Sequence, residues 1–96
     1  MDNELLRRTR EFVIKVFKLV ERLSKTETSK VITYQLLKAV SSVAANYSAV
    51  NRAKSKSDFS NKLKIVLEES DESNLWLTFI ADLYLLNRED QEMVFH

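Results

Sequence analysis

The side chains best equipped for chemistry in this sequence are carboxylates. Glu68, Glu69, Asp71 and Glu72 crowd into "EESDESN", and Asp82 follows. On a helix Glu69 and Glu72 stand three residues apart and share a face, as the acids of a carboxylate-bridged dimetal centre do. Such a centre also needs Glu-x-x-His pairs and acids from several helices, whereas the sole histidine is His96. With Cys at 0 there is no thiolate zinc site, thiol nucleophile or disulfide, and with Gly at 0 there is no Walker loop or dinucleotide fingerprint. No Ser-His-Asp set can be assembled either. The composition therefore points away from an enzyme, a metal site, a bound cofactor or a small-molecule substrate, and leaves the acids as solvated or ion-paired groups.

The second concentration of charge is basic. Arg52, Lys54, Lys56, Lys62 and Lys64 stand close together with Asp58 as the lone acid among them. Cations clustered in this way bind phosphates through counterion release, and the start of a helix at the same place adds partial positive charge. Aromatic rings interleaved with bases, which single-strand binders use for stacking, are scarce. Tyr47 with Arg52, and Phe59 near Lys56 and Lys62, are the candidates, and packing is the commoner use of such rings. The whole chain is polarised. Residues 1–67 carry 14 Lys/Arg against 6 Asp/Glu, and residues 68–96 carry 1 against 8, so a net charge of +1 hides a basic portion and an acidic one.

These groups must be positioned by helices. Ninety-six residues without a single Gly or Pro form one domain, residues 1–96, in which tight hairpins and bulges are disfavoured. Leu5, Thr9, Phe12, Val16, Leu19 and Leu23 step by four and three along a first helix. Its other face carries Arg8, Glu11, Lys15, Lys18, Arg22 and Lys25, a solvated face or a phosphate-facing stripe. Glu11–Lys15 and Glu21–Lys25 are expected to pair along it. "SKTETSK" interrupts the pattern with residues that favour turns.

A second helix follows with Leu36, Leu37, Val40, Val43, Ala44, Tyr47 and Val50 on its apolar stripe. Its other face is almost all small: Ala39, Ser42, Asn46, Ala49 and Ala53. Such a face admits another backbone at close range, in the same chain or between subunits. Asn46, at its centre, can bond across to a neighbouring helix and set register, or stand exposed to water.

Ser55 and Asp58 have the spacing of a capping box at the start of a third helix, with Ser57 as the competing cap. Its stripe is Phe59, Leu63, Val66, Leu67, Leu77, Ile80 and Tyr84. "EESDESN" interrupts that stripe and permits a continuous helix with a polar waist, a kink or a loop, the first being preferred. Trp76 and Phe79 pack, with the indole N–H needing a partner. Asn87 with Arg88, Glu89 and Asp90 caps a fourth helix of which only "DQEMVFH" remains, so the helix is truncated or its place is filled by a neighbouring subunit. No apolar run is long enough to span a bilayer and no secretory signal is evident, which makes the cytoplasm the expected location.

The stretch from Tyr34 to Leu77 resembles the four-helix-bundle proteins named for reading frames in intervening sequences of 23S rRNA genes. The resemblance rests on Gln35-Leu36-Leu37, the "SVAAN" ending at Asn46, "NRA" at Asn51 to Ala53, Ser57-Asp58-Phe59, Lys62-Leu63, and Glu69-x-x-Glu72 followed by Trp76-Leu77. It implies an all-α, antiparallel up-and-down four-helix bundle that assembles as a homopentamer. It also implies a fold relative, the accessory variability protein of diversity-generating retroelements, a basic pentameric barrel associated with nucleic acid; that is an analogy of fold alone. Ala44 stands where the family commonly has Gly, and Ala49 where it has an acid.

Two functions are then open. The first is a non-catalytic oligomer associating with RNA or DNA through Arg8, Lys15, Arg22, Arg52, Lys54 and Lys56. The second is a protein-interaction or self-assembly scaffold without nucleic-acid binding. In either, Ala39, Ser42, Asn46 and Ala49 form a helix or subunit contact. Glu69 and Glu72 face bases such as Arg52 in the same bundle or the next subunit.

Overall fold

The computed structural model describes residues 3–83. Three helices occupy most of that span: α1 Asn3–Val20, α2 Glu27–Ala49 and α3 Lys56–Asp82, with a short 3-10 turn at Val50–Arg52 closing α2. Among the described residues there is no strand, as a chain free of Gly and Pro leads one to expect. The proposed fourth helix at Asn87, and Tyr84 of the α3 stripe, lie outside the described residues.

α1 stops earlier than its apolar stripe. The Arg22 N–H donates to Leu19 O and the Leu23 N–H to Val20 O, i to i−3 bonds that tighten the chain into a turn. Leu23 is buried from this turn rather than from the helix, and no Glu21–Lys25 helical pair forms. Glu11 turns back to Arg7, which also holds Glu4, so it is Arg7 and not Lys15 that neutralises it.

The start of α2 explains why the polar stretch "SKTETSK" is only partly a loop. Thr26 is the N-cap: the Ser29 N–H donates to Thr26 Oγ1 at 3.0 Å and the Thr26 N–H to Ser29 Oγ at 2.9 Å. This is a reciprocal box with Ser in the place usually held by Glu or Gln. Ser29 Oγ also donates to Ser24 O, which lets the hydroxyl be buried without loss. Residues 27–30 therefore belong to the helix.

α3 runs unbroken through the polar waist. Ser70 Oγ donates to Val66 O at 2.7 Å and Ser73 Oγ to Glu69 O at 2.8 Å, so the hydroxyls that could have diverted the backbone are satisfied on the helix itself. Satisfied in this way, Ser73 enters the core at 4% exposure between Val66 and Leu77. Twenty-seven residues at about 1.5 Å each give a rod of roughly 40 Å, which sets the 44 Å long dimension of the molecule.

The core draws on all three helices: Val13, Val16 and Leu19 from α1, Leu36 and Val40 from α2, Leu77 and Ile80 from α3. α2 is the shared wall, and its backbone runs alongside α3 far more extensively than alongside α1. Ala39 lies at its centre, 1% exposed, flanked by the fully buried Leu36 and Val40. Several residues of the expected stripes are on the surface instead: Leu5 and Phe12 of α1, and Phe59 and Leu67 of α3, are 42–68% exposed. A stripe defined by spacing alone is wider than the face that three helices can cover.

Enlarging Ala39 has no room to be accommodated. Ala39→Leu is expected to cost about 1–3 kcal/mol in urea unfolding, whereas Ala45→Leu, on the exposed side of the same helix, should stay within about 0.5 kcal/mol. Equal effects would contradict the packing described.

Candidate nucleic-acid interface

The turn from α2 into α3 gathers the basic corner. Ser55 is the N-cap, its Oγ accepting the Asp58 N–H at 3.0 Å, and Ser57 takes no part in capping. The carboxylate does not complete the box on Ser55. Asp58 Oδ2 reaches one residue further back to accept the Lys54 N–H at 2.9 Å, and Oδ1 accepts Lys62 Nζ at 2.6 Å. The Asp58 charge in the first turn of α3 offsets the partial positive charge of the helix N-terminus, which weakens the dipole contribution to anion binding that the sequence suggested. Lys62 is neutralised at the same stroke, being only 24% exposed in its side chain.

What is left for a ligand is Arg52, Lys54 and Lys56. All three are exposed, and among the described residues none of their side chains forms an ion pair. On α1, Arg8 and Lys15 stand seven residues apart on one exposed stripe beside the apolar flank of Leu5 and Phe12, whereas Arg22, which the spacing placed on the same stripe, is exposed in the turn after the helix ends at Val20. Arg8 and Lys15 likewise have no ion-pair partner among the described residues. Lys64, the fifth base of the corner sequence, lies farther along α3 opposite Glu68 at 4.0 Å.

The expected contact residues are arranged differently from a solvated face. Ala39 is buried, and Ser42, Asn46 and Ala49 are half-buried within the chain. Asn46 Nδ2 donates to Ser42 O at 2.9 Å and to Ser42 Oγ at 3.2 Å, so the donor half of its amide is used inside α2 and not across to another helix. Glu72 is likewise engaged on its own helix. Its Oε1 accepts the Trp76 indole N–H at 3.1 Å, and the indole meets the Phe79 ring edge-on at 5.6 Å. Neither Glu69 nor Glu72 pairs with Arg52 among the described residues. A carboxylate four residues before a Trp is within helical reach of the indole N–H, and this signal was available in the sequence.

Between α1 and α3 an open groove of about 510 Å³ has Val43 of α2 as its floor and Leu5, Arg8, Phe12, Asn74 and Leu77 among its walls. It is apolar below and polar at the rim, and no acid–base pair lines it. Among the described residues no group of three His, Cys, Asp or Glu could hold a metal ion, and no helix is long and apolar enough to cross a membrane.

Hydrogen bonds from Lys62 and from the Lys54 N–H to its charged form hold the Asp58 carboxyl below the usual carboxylate range. A depressed native value stabilises the fold above the unfolded-state pKa of about 3.9 and loses that effect as pH falls through the native value. Asp58→Asn should therefore lower Tm at neutral pH, with the gap to the unsubstituted protein closing progressively below about pH 4. A gap unchanged down to acid pH would show that the charge is not involved.

Among curated proteins none matches the chain. A crystal structure from Bacteroides thetaiotaomicron VPI-5482, described as a protein with unknown function from the S23 ribosomal protein family, is similar. It has 29% sequence identity and a TM-score of 0.81, and the match covers 93% of this chain and 82% of that one. The family model of the 23S rRNA-intervening sequence protein matches residues 1–95. With nearly its whole length matched, this three-helix scaffold with a basic α1 stripe and α2–α3 corner belongs to the 23S rRNA-intervening sequence protein family.

Proposed function

We propose that this protein is a non-catalytic, oligomeric, cytoplasmic helical scaffold that associates with RNA or DNA through two basic surfaces, the Arg8–Lys15–Arg22 stripe and the Arg52–Lys54–Lys56 corner. The observation that carries this reading is the exposure of Arg8, Lys15, Arg52, Lys54 and Lys56, none of which forms an ion pair among the described residues, while acids within helical reach of them are engaged elsewhere. Glu4 and Glu11 are taken by Arg7, and Asp58 is taken by Lys62 and the Lys54 N–H. A solvated face with no ligand gains nothing from that division, whereas phosphates bind to cations that are available.

The resemblance adds the form of the assembly. A fourth helix over the groove between α1 and α3 completes an antiparallel up-and-down bundle, and five such bundles make a homopentamer. Repeating two basic surfaces around a ring multiplies weak phosphate contacts into useful affinity. Assembly without nucleic acid is the second reading. It is favoured by large apolar side chains left in water, including Ile14, Phe17, Val31, Tyr34, Leu75 and Leu83, each 42–66% exposed.

A labelled single-stranded RNA titrated at two salt concentrations separates these readings. Association should weaken as salt rises, and replacing Arg8, Lys15 and Arg22 by Gln should flatten the slope of log K against log salt by up to about 2. No binding at low salt, or binding indifferent to salt, would leave the self-assembly reading. Light scattering on the same sample should report a particle of five chains, and a monomer would remove the assembly from both.

A further inference from the structure

We infer that the α2–α3 corner is a stacking subsite for an unpaired base of a single-stranded nucleic acid, with Phe59 as the platform and Lys54 and Lys56 as the phosphate contacts. This deepens the nucleic-acid reading above and rests on it.

The corner forms a shallow, open hollow of about 570 Å³ between the 3-10 turn and the first turn of α3, lined by Asn51, Lys54, Lys56, Phe59 and Ser60 with Val50 beneath. Val50 is 2% exposed and gives the hollow a fixed apolar floor. Phe59 belongs by spacing to the core stripe of α3, yet it remains 44% exposed and lines this hollow. A large ring held half in water beside lysines is what single-strand binders present, because every base has a face to stack and the sugar-phosphate must pass nearby.

Electrostatics in the corner favour this arrangement. Both oxygens of Asp58, the one acid near the hollow, are used, on the Lys54 N–H and on Lys62 Nζ. Asp58 therefore locks the turn; its carboxylate attracts the Lys54 charge without a direct ion pair and makes none to Lys56. The same charge in the first turn of α3 offsets the helix dipole, so the anion contacts fall to the two ammonium groups at the rim. The Asn51 amide and the Ser60 hydroxyl add donors and acceptors within the same walls, suited to a base edge. Duplex nucleic acid offers no unstacked face for the ring, and the subsite accordingly discriminates by strandedness and not by sequence.

Fluorescence anisotropy with a labelled oligouridylate of about ten nucleotides and a duplex of equal length tests this on the full chain. Phe59→Leu keeps an apolar side chain of similar reach, and its helical circular dichroism should match the parent. The substitution is expected to weaken single-strand binding about 5- to 150-fold while leaving the salt slope and duplex binding unchanged. Lys54→Gln with Lys56→Gln should instead lower the single-strand salt slope by about 1.4. Ultraviolet cross-linking of the unsubstituted protein to the same oligonucleotide should label the peptide that contains Phe59, a readout independent of any variant's folding. Salt-dependent binding that Phe59→Leu leaves intact, or cross-links confined to other peptides, overturns the subsite while the broader reading stands. Absence of binding by the unsubstituted protein at low salt overturns both.

Discussion

The side-by-side contact between α2 and α3 is the constraint on which the rest of the structure depends. α2 runs alongside α3 far more extensively than alongside α1, and Ala39, Ser42, Asn46 and Ala49 of α2 are buried or half-buried within the chain. Ala39 of α2 is 1% exposed, and on α3 Ser73 is buried with its hydroxyl bonded to Glu69 O. A polar residue in that core is tolerated because its hydrogen bond is made within its own helix; an unsatisfied hydroxyl there would cost about 1–3 kcal/mol. The polar waist of α3 is thus compatible with the core and does not interrupt it.

That contact also positions the charge. It aligns the end of α2 with the start of α3, so that the 3-10 turn, the Ser55 cap and the Asp58 carboxylate close the connection within a few residues. Asp58 holds the turn by two hydrogen bonds, while Arg52, Lys54 and Lys56 before it are exposed. On α1, Arg7 pairs with Glu4 and Glu11, and the heptad-spaced Arg8 and Lys15 form no ion pair among the described residues. In both places short-range ion pairs within one helix set the local balance of charge.

The helical character, the three rods and the location of the basic corner were legible in the sequence, each for a local reason. The absence of Gly and Pro, the periodic apolar residues and the Ser55–Asp58 spacing are properties of neighbouring residues, and the structure realises them at Asn3–Val20, Glu27–Ala49 and Lys56–Asp82. The Thr26–Ser29 box was harder to recognise because serine replaces the longer acid or amide that usually signals it. Glu11 had bases on both sides at helical spacing, and spacing alone does not say that it turns to Arg7 and not to Lys15.

Tertiary structure alone decided which apolar residues are core. Phe59 and Leu67 share the periodicity of Val66, Leu77 and Ile80, but three packed helices cover only part of each apolar stripe, and the former pair falls outside it. It also decided the state of Asn46 and Glu72, whose partners proved to be Ser42 and Trp76 on their own helices. The physical reason is the range of the forces involved. Helix propensity, capping and i,i+4 pairing act within one or two turns and are written in order along the chain, whereas burial depends on which surfaces meet, and that is settled only when the rods are packed.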